Sequence, residues 1–268
     1  MRRIKAGQGK GVGNASVIGA PGFGSAVSFN TEENSYVVAY SNDQAESFLQ
    51  VVNTKGKKVG NPESLDDAAS GSNSYEVNHV AYNATDQRVL TVGTEIKGSQ
   101  RRPVGLGFDA ALDQSAGPFV YDNKFKNNAI NWVAAAFHDT GEGLVAWNRA
   151  KASSGDGFIR AIGATGSPSG SSKKVGSGLP VNVFPLAENL DGQNLVVWTD
   201  LNAGAVFGQE ASDSASLIGA SFRISDAAEA VQVGFNAAAY NRISGESGVI
   251  YTRGGAAPAV VFALLGPP

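Results

Sequence analysis

Ala135-Ala-Phe-His-Asp-Thr-Gly-Glu-Gly-Leu-Val-Ala-Trp147 is the stretch on which the reading of this chain turns. Small apolar residues lead through an aromatic and His138 into a polar turn, and then into a β-rich run that ends on Trp147. Four other stretches repeat the pattern: Ala26-Val-Ser-Phe-Asn30 to Tyr40, Val80-Ala-Tyr-Asn83 to Gly93, Leu186-Ala-Glu-Asn189 to Trp198, and Ala238-Ala-Tyr-Asn241 to Tyr251. Their last positions, 40, 93, 147, 198 and 251, are 53, 54, 51 and 53 residues apart. A spread that narrow marks five copies of one supersecondary unit.

Within each copy the anchor ends a short strand, such as Tyr36-Val-Val-Ala-Tyr40 or Asn194-Leu-Val-Val-Trp198. A third β-rich run follows, as in Phe48-Leu-Gln-Val-Val52 and Phe158-Ile-Arg-Ala-Ile162, and a short fourth comes after a turn, as in Pro118-Phe-Val-Tyr121. No segment carries helical periodicity. Four short antiparallel strands per unit is the pattern of a propeller blade. The fifth unit stops after its third strand, and its fourth is found at the other end of the chain. There Gly13-Asn14-Ala-Ser-Val-Ile18 matches Gly60-Asn61-Pro-Glu-Ser-Leu65. The chain thus resembles five-bladed β-propeller repeat proteins, over about residues 13–266. The resemblance implies an all-β ring of four-stranded antiparallel blades, closed by the N-terminal strand pairing in the last blade. Residues 1–12 are expected to form a flexible arm, and 13–268 a single domain.

Composition agrees and narrows the function. The 268 residues include 34 Gly and are 42% hydrophobic but only 17% charged, which suits many tight turns around a sizeable core. There is no Cys, hence no disulfide and no thiolate site. A net charge of −3 argues against nucleic acid as a partner. The longest apolar run, Ala256 to Leu265, is interrupted by Pro258 and is too short for a membrane span. Met1-Arg2-Arg3 is not followed by the apolar stretch of a signal peptide. An extracellular or virion-associated location is nevertheless the favoured expectation for such a module.

Motifs for chemistry are sparse. The run Gly7-Gln-Gly-Lys-Gly-Val-Gly13 lacks the Ser or Thr, the preceding strand and the following helix of a phosphate loop. His79 and His138 have no metal-ligand partners at the required spacing, and Asn189-Leu-Asp-Gly-Gln-Asn194 lacks the spacing of a calcium loop. No cofactor or metal is expected. His138 shares a turn-opening position with Asn30, Asn83, Asn189 and Asn241, where the side chain would hydrogen-bond local backbone. Trp147, Trp198, Tyr40 and Tyr251 share another, and should pack blade on blade. His79 is read as preceding the first strand of its unit.

Propeller glycosidases would need paired carboxylates at the channel mouth. The starts of the innermost strands, read as Ser25-Ala-Val-Ser, Asn78-His-Val-Ala, Trp132-Val-Ala-Ala, Val183-Phe-Pro-Leu and Gly234-Phe-Asn-Ala, hold none, and Glu188 lies at a strand's far end. The expectation is therefore a non-catalytic recognition or adhesion propeller that binds a glycan or anionic polymer through one loop face. A structural subunit held by a protein partner in an extracellular or virion assembly is the first alternative, and a glycoside hydrolase-like propeller the second. Asp43, Glu95, Arg149, Asp200 and Arg253 should ring that face just past the second strands. The candidate binding residues are Lys97, Arg101, Arg102, Lys124, Phe125, Lys126, Trp132, Arg149 and Lys151, basic and aromatic side chains on consecutive loops of the second and third units.

Overall fold

A computed structural model of the chain describes residues 3–4, 11–12, 17–19, 22–42, 46–65, 73–123, 132–150, 155–178, 180–187, 193–227, 231, 237–241, 243–254 and 258–266. The elements are β-strands in antiparallel sheets, and the five large sheets stand in a ring as a five-bladed β-propeller. The first sheet is β3 (Gly22–Asn30), β4 (Ser35–Asn42), β5 (Ser47–Asn53) and β6 (Lys58–Ser64). β7 (Ser74–Asn83), β8 (Arg88–Lys97), β9 (Gln100–Phe108) and β10 (Gln114–Val120) make the second. The third holds β11 (Val133–Phe137), β12 (Gly143–Ala150), β13 (Gly155–Ile162) and β14 (Pro168–Gly178). In the fourth are β15 (Pro180–Ala187), β16 (Gln193–Asp200), β17 (Ala205–Ser212) and β18 (Leu217–Arg223). The fifth consists of β19 (Ala237–Asn241), β20 (Glu246–Arg253) and β21 (Ala259–Leu265).

Burial along the second strand of each sheet reports how many of its faces are covered. In β8 and β16 almost every residue is buried, because neighbouring sheets pack on both sides. β4 and β20 instead alternate, the period of a strand covered on one face. Four apolar clusters fill the seams between successive sheets. Val37 and Leu49 meet Tyr75 and Val104 at the first seam, and Tyr121 and Leu90 meet Trp147 at the second. Ile159 and Val175 meet Trp198 at the third, and Leu195 and Val206 meet Val249 and Tyr251 at the fourth. At the fifth seam, between the last sheet and the first, Val260, Phe262, Leu264 and Ile250 are exposed on one side, and Val27 and Phe29 on the other.

The turn-opening residues behave as their type dictates. Asn30 Oδ1 accepts the Glu32 and Glu33 amides, Asn83 Oδ1 those of Thr85 and Asp86, and Asn241 Oδ1 those of Ile243 and Ser244. Asn189 and Glu188 lie outside the described residues.

Several expectations need revision. Among the described residues the fifth sheet has three strands. Val17 and Ile18, half of the expected closing strand, belong to no strand, while residues 13–16 lie outside the described set. Gly19 nevertheless reaches the first sheet, where a Cβ on it would fall 2.3 Å from the Tyr40 ring. In the expected arm, β1 (Arg3–Ile4) pairs with β2 (Gly11–Val12) as a two-stranded ribbon. His79 sits within β7, not before it, because the strand starts at Ser74. Glu95, Arg149, Asp200 and Arg253 lie in strand ends, not in loops, and Asp43 is outside the described residues.

Candidate functional site

Three sheets carry the same device, an aromatic at the end of the second strand stacked on its cross-strand partner in the third. The pairs are Tyr40 with Phe48 (ring centroids 5.5 Å apart), Trp147 with Phe158 (5.7 Å) and Trp198 with Phe207 (5.9 Å). Interplanar angles of 28°, 16° and 21° make all three stacked. What lies over each pair depends on the outer strand of the preceding sheet.

At the second seam that strand is followed by Tyr121 and Asp122, and the space is filled. Tyr121 is buried, and Asp122 forms an ion pair with Arg149, whose guanidinium carbon stands 4.5 Å from the centre of the Phe158 ring. Partial burial pulls the Arg149 pKa down, and the nearby Asp156 charge partly opposes this. At the third seam the corresponding residues are Val175 and Gly176. A Cβ on Gly176 would come within 2.9 Å of Trp198 Nε1, so the β14 backbone packs directly against the indole, which is almost fully buried.

A cleft of about 390 Å³ opens there. Lys174, Val175 and Gly176 of β14 form one wall, and Trp198, Asp200, Phe207 and Ser221 of the fourth sheet form the other. Lys174 Nζ is 2.5 Å from Asp156 Oδ1, so its charge is already compensated. Asp200 Oδ1 accepts the Asn202 and Ala203 amides at 2.9 and 3.0 Å, which fixes the carboxylate at the end of β16. The accessible lining is mostly polar, with Phe207 as its part-exposed aromatic, and with little net charge it can take a small neutral polar molecule.

Of the residues expected to bind from sequence, Lys97, Arg101, Arg102, Trp132 and Arg149 are described. Lys97, Arg101 and Arg102 flank the β8–β9 turn, on strands and not in a loop. Arg102 Nε donates to Glu95 Oε2 at 2.5 Å, and Glu95, almost fully buried, also accepts from Asn73 Nδ2 at 2.7 Å. Arg149 is held by Asp122. Trp132 precedes β11, donates its amide to Asn148 Oδ1 at 2.9 Å, and packs its ring 5.5 Å from that of Phe184 in the next sheet. Lys124, Phe125, Lys126 and Lys151 lie outside the described residues. Among the described innermost strands the one carboxylate is Glu76, on β7. That residue was missed because β7 starts four positions earlier than expected. No group of three or more potential metal ligands occurs among the described residues.

No protein-family model matches the chain, and no curated protein matches it in sequence. Solved structures are similar to it in shape. A polysaccharide lyase, Uly1, superposes with a TM-score of 0.56 at 8% identity, over 90% of this chain and 57% of the lyase, so the chain spans little more than half of that protein. The endo-arabinase from Bacteroides thetaiotaomicron VPI-5482 gives 0.53 at 12% identity, covering 91% of this chain and 95% of the enzyme. A lectin of Aleuria aurantia in complex with alpha-methyl-L-fucoside gives 0.55 at 13%, covering 90% and 77%. At such identities the likeness is one of fold alone: the chain is a five-bladed β-propeller.

Proposed function

We propose that this propeller is a glycan-recognition module whose binding site is the cleft between the third and fourth sheets. The observation that carries the reading is the cleft itself: part-exposed Phe207, stacked on the buried Trp198, is bordered by Lys174, Asp200 and Ser221. A pyranose or furanose presents a C–H face that stacks on an aromatic ring, and hydroxyls that need donors and acceptors at the rim. The lectin and arabinase likenesses agree with a sugar ligand without identifying it.

A neutral sugar fits better than an anionic polymer. Lys174 is compensated by Asp156, and Asp200 adds a negative charge. In the basic patch expected from sequence, Arg102 and Arg149 are engaged by Glu95 and Asp122. Hydrolysis by two carboxylates is less well supported, since the described innermost strands contribute Glu76 alone.

The test is titration with the methyl glycosides of L-fucose, L-arabinose, D-xylose and D-galactose, followed by calorimetry and tryptophan fluorescence. Binding that perturbs fluorescence and weakens at least tenfold in Lys174→Ala/Ser221→Ala is expected. Absence of binding by all four, or binding indifferent to that variant, would overturn the site.

A further inference from the structure

We infer a second sugar cleft in the same chain, at the first sheet, where Tyr40 and Phe48 take the places of Trp198 and Phe207. The inference rests on the reading of the third-seam cleft as a glycan site, and extends it to a position that the five-fold repeat does not by itself single out.

Three correspondences carry it. Tyr40 and Phe48 are register partners in β4 and β5, as Trp198 and Phe207 are in β16 and β17, and both pairs are stacked. Gly19 lies against the Tyr40 ring as Gly176 lies against Trp198, since a Cβ on either would collide with the aromatic. Each glycine follows a β-branched residue, Ile18 or Val175, and precedes the innermost strand of the sheet it touches. Finally, Asn42 ends β4 two residues after Tyr40, as Asp200 ends β16 two residues after Trp198. Its Oδ1 accepts the Glu46 amide at 2.9 Å and its Nδ2 donates to Glu46 Oε2 at 2.6 Å, so this rim is as firmly set as the Asp200 turn.

The remaining seams lack the combination. Arg149 and Asp122 occupy the space over Trp147 and Phe158. In the second sheet the anchor is Gly93, and in the fifth Tyr251 faces Val261 instead of an aromatic. Two clefts per chain are therefore expected, not five.

The second cleft is also less polar. Val17, largely exposed, stands where the first has Lys174, and the phenol of Tyr40, a neutral donor and acceptor whose pKa burial raises, replaces the indole N–H. It should take a neutral sugar through an apolar face, and should discriminate against uronic acids.

The chain's three tryptophans, Trp132, Trp147 and Trp198, all lie outside the first sheet, so fluorescence and calorimetry separate the two clefts. With the same four methyl glycosides, calorimetry on the intact chain is expected to give close to two sites, while fluorescence follows only the one at Trp198. Tyr40→Phe, which keeps the stacked ring, should weaken the silent site several-fold and leave the fluorescent one unchanged; Tyr40→Ala should reduce the stoichiometry to one. A single site that saturates with the fluorescence change and ignores both Tyr40 variants would overturn this inference and leave the Trp198 cleft standing. A single site that is silent in fluorescence and lost in Tyr40→Ala would uphold the second cleft and refute the first. No binding would remove both.

Discussion

The Tyr121 hydroxyl donates to the Gly166 carbonyl oxygen at 3.1 Å, joining the end of the second sheet to a turn of the third through a fully buried hydrogen bond. Burial drives the phenol's pKa well up, so the group stays a donor at any ordinary pH. The same hydroxyl lies 2.3 Å from where a Cβ on Gly105 would stand. Tyr121→Phe should therefore lower stability by about 1 kcal/mol, the net worth of one such bond. Gly105→Ala should cost more, because the ring must shift to admit a methyl group. Chemical denaturation of the two variants checks the order, and a Gly105→Ala protein as stable as the parent would contradict the packing described at this seam.

Asn83 does more than open its turn. Its Nδ2 donates to Asp86 Oδ2 and to the carbonyl oxygens of Gly141 and Ala164, each at 3.0 Å, so one side chain ties the second sheet to two turns of the third. Asn30 and Asn241 bond only their own turns in the interactions described above. Asn83→Ala should cost roughly 2–3 kcal/mol, against about 1 kcal/mol for Asn30→Ala. Equal losses in denaturant midpoints would show that the cross-seam bonds contribute nothing.

His79, within β7, is pushed by burial down to a pKa of about 4, below its ordinary 6.5. The unfolded chain then binds more protons than the folded one between these two values. Stability should fall as the pH drops from 6.5 towards 4, by no more than about 1.4 kcal/mol per pH unit. His79→Gln should flatten the curve in this window alone, as measured by thermal unfolding across pH.

Arg102 and Arg101 are adjacent in sequence but should respond differently to truncation. Arg102→Ala leaves the buried Glu95 without its guanidinium partner and should destabilise the fold by roughly 3 kcal/mol. Arg101→Ala, at a half-buried position on the same strand, should stay within about 0.5 kcal/mol of the parent. If Arg102→Ala instead unfolds like the parent and loses affinity for an acidic polysaccharide such as heparin, the ion pair is a binding surface after all.

Much of the architecture was legible because its signals repeat. The anchors, aromatic in four of five units, and the turn-opening residues, Asn in four of five, each recur about every 53 positions; packing explains the first and local backbone chemistry the second. The start of β7 was missed for a physical reason. A bulge at Asn78 separates the pairs Val77–Gly93 and His79–Val92, so alternation changes phase there and Ser74 to Val77 do not read as the same strand. Glu95 was legible from sequence as a neighbour able to neutralise part of the basic patch, but its direct cross-strand pairing with Arg102 is a fact of hairpin register that spacing alone does not display. The cleft beside Trp198 escaped notice since it joins two repeat units, and because the close approach of β14 to the indole depends on Gly176, a residue distinguished only by what it lacks.

The exposed apolar faces at the fifth seam bear on the order in which the ring assembles. Within each sheet, strands pair with their neighbours in sequence, and four packed seams join consecutive sheets. Phe262 and Val260 on the last sheet and Phe29 and Val27 on the first are exposed, and packing them together would have to close the whole length of the chain, at a correspondingly large loop-closure entropy. The fifth sheet is thus packed through the fourth seam, whereas the second and third sheets are packed on both sides. Amide hydrogens of β20 and β21 should exchange with solvent well before those of β8 and β12, giving the circular fold a kinetic beginning and end.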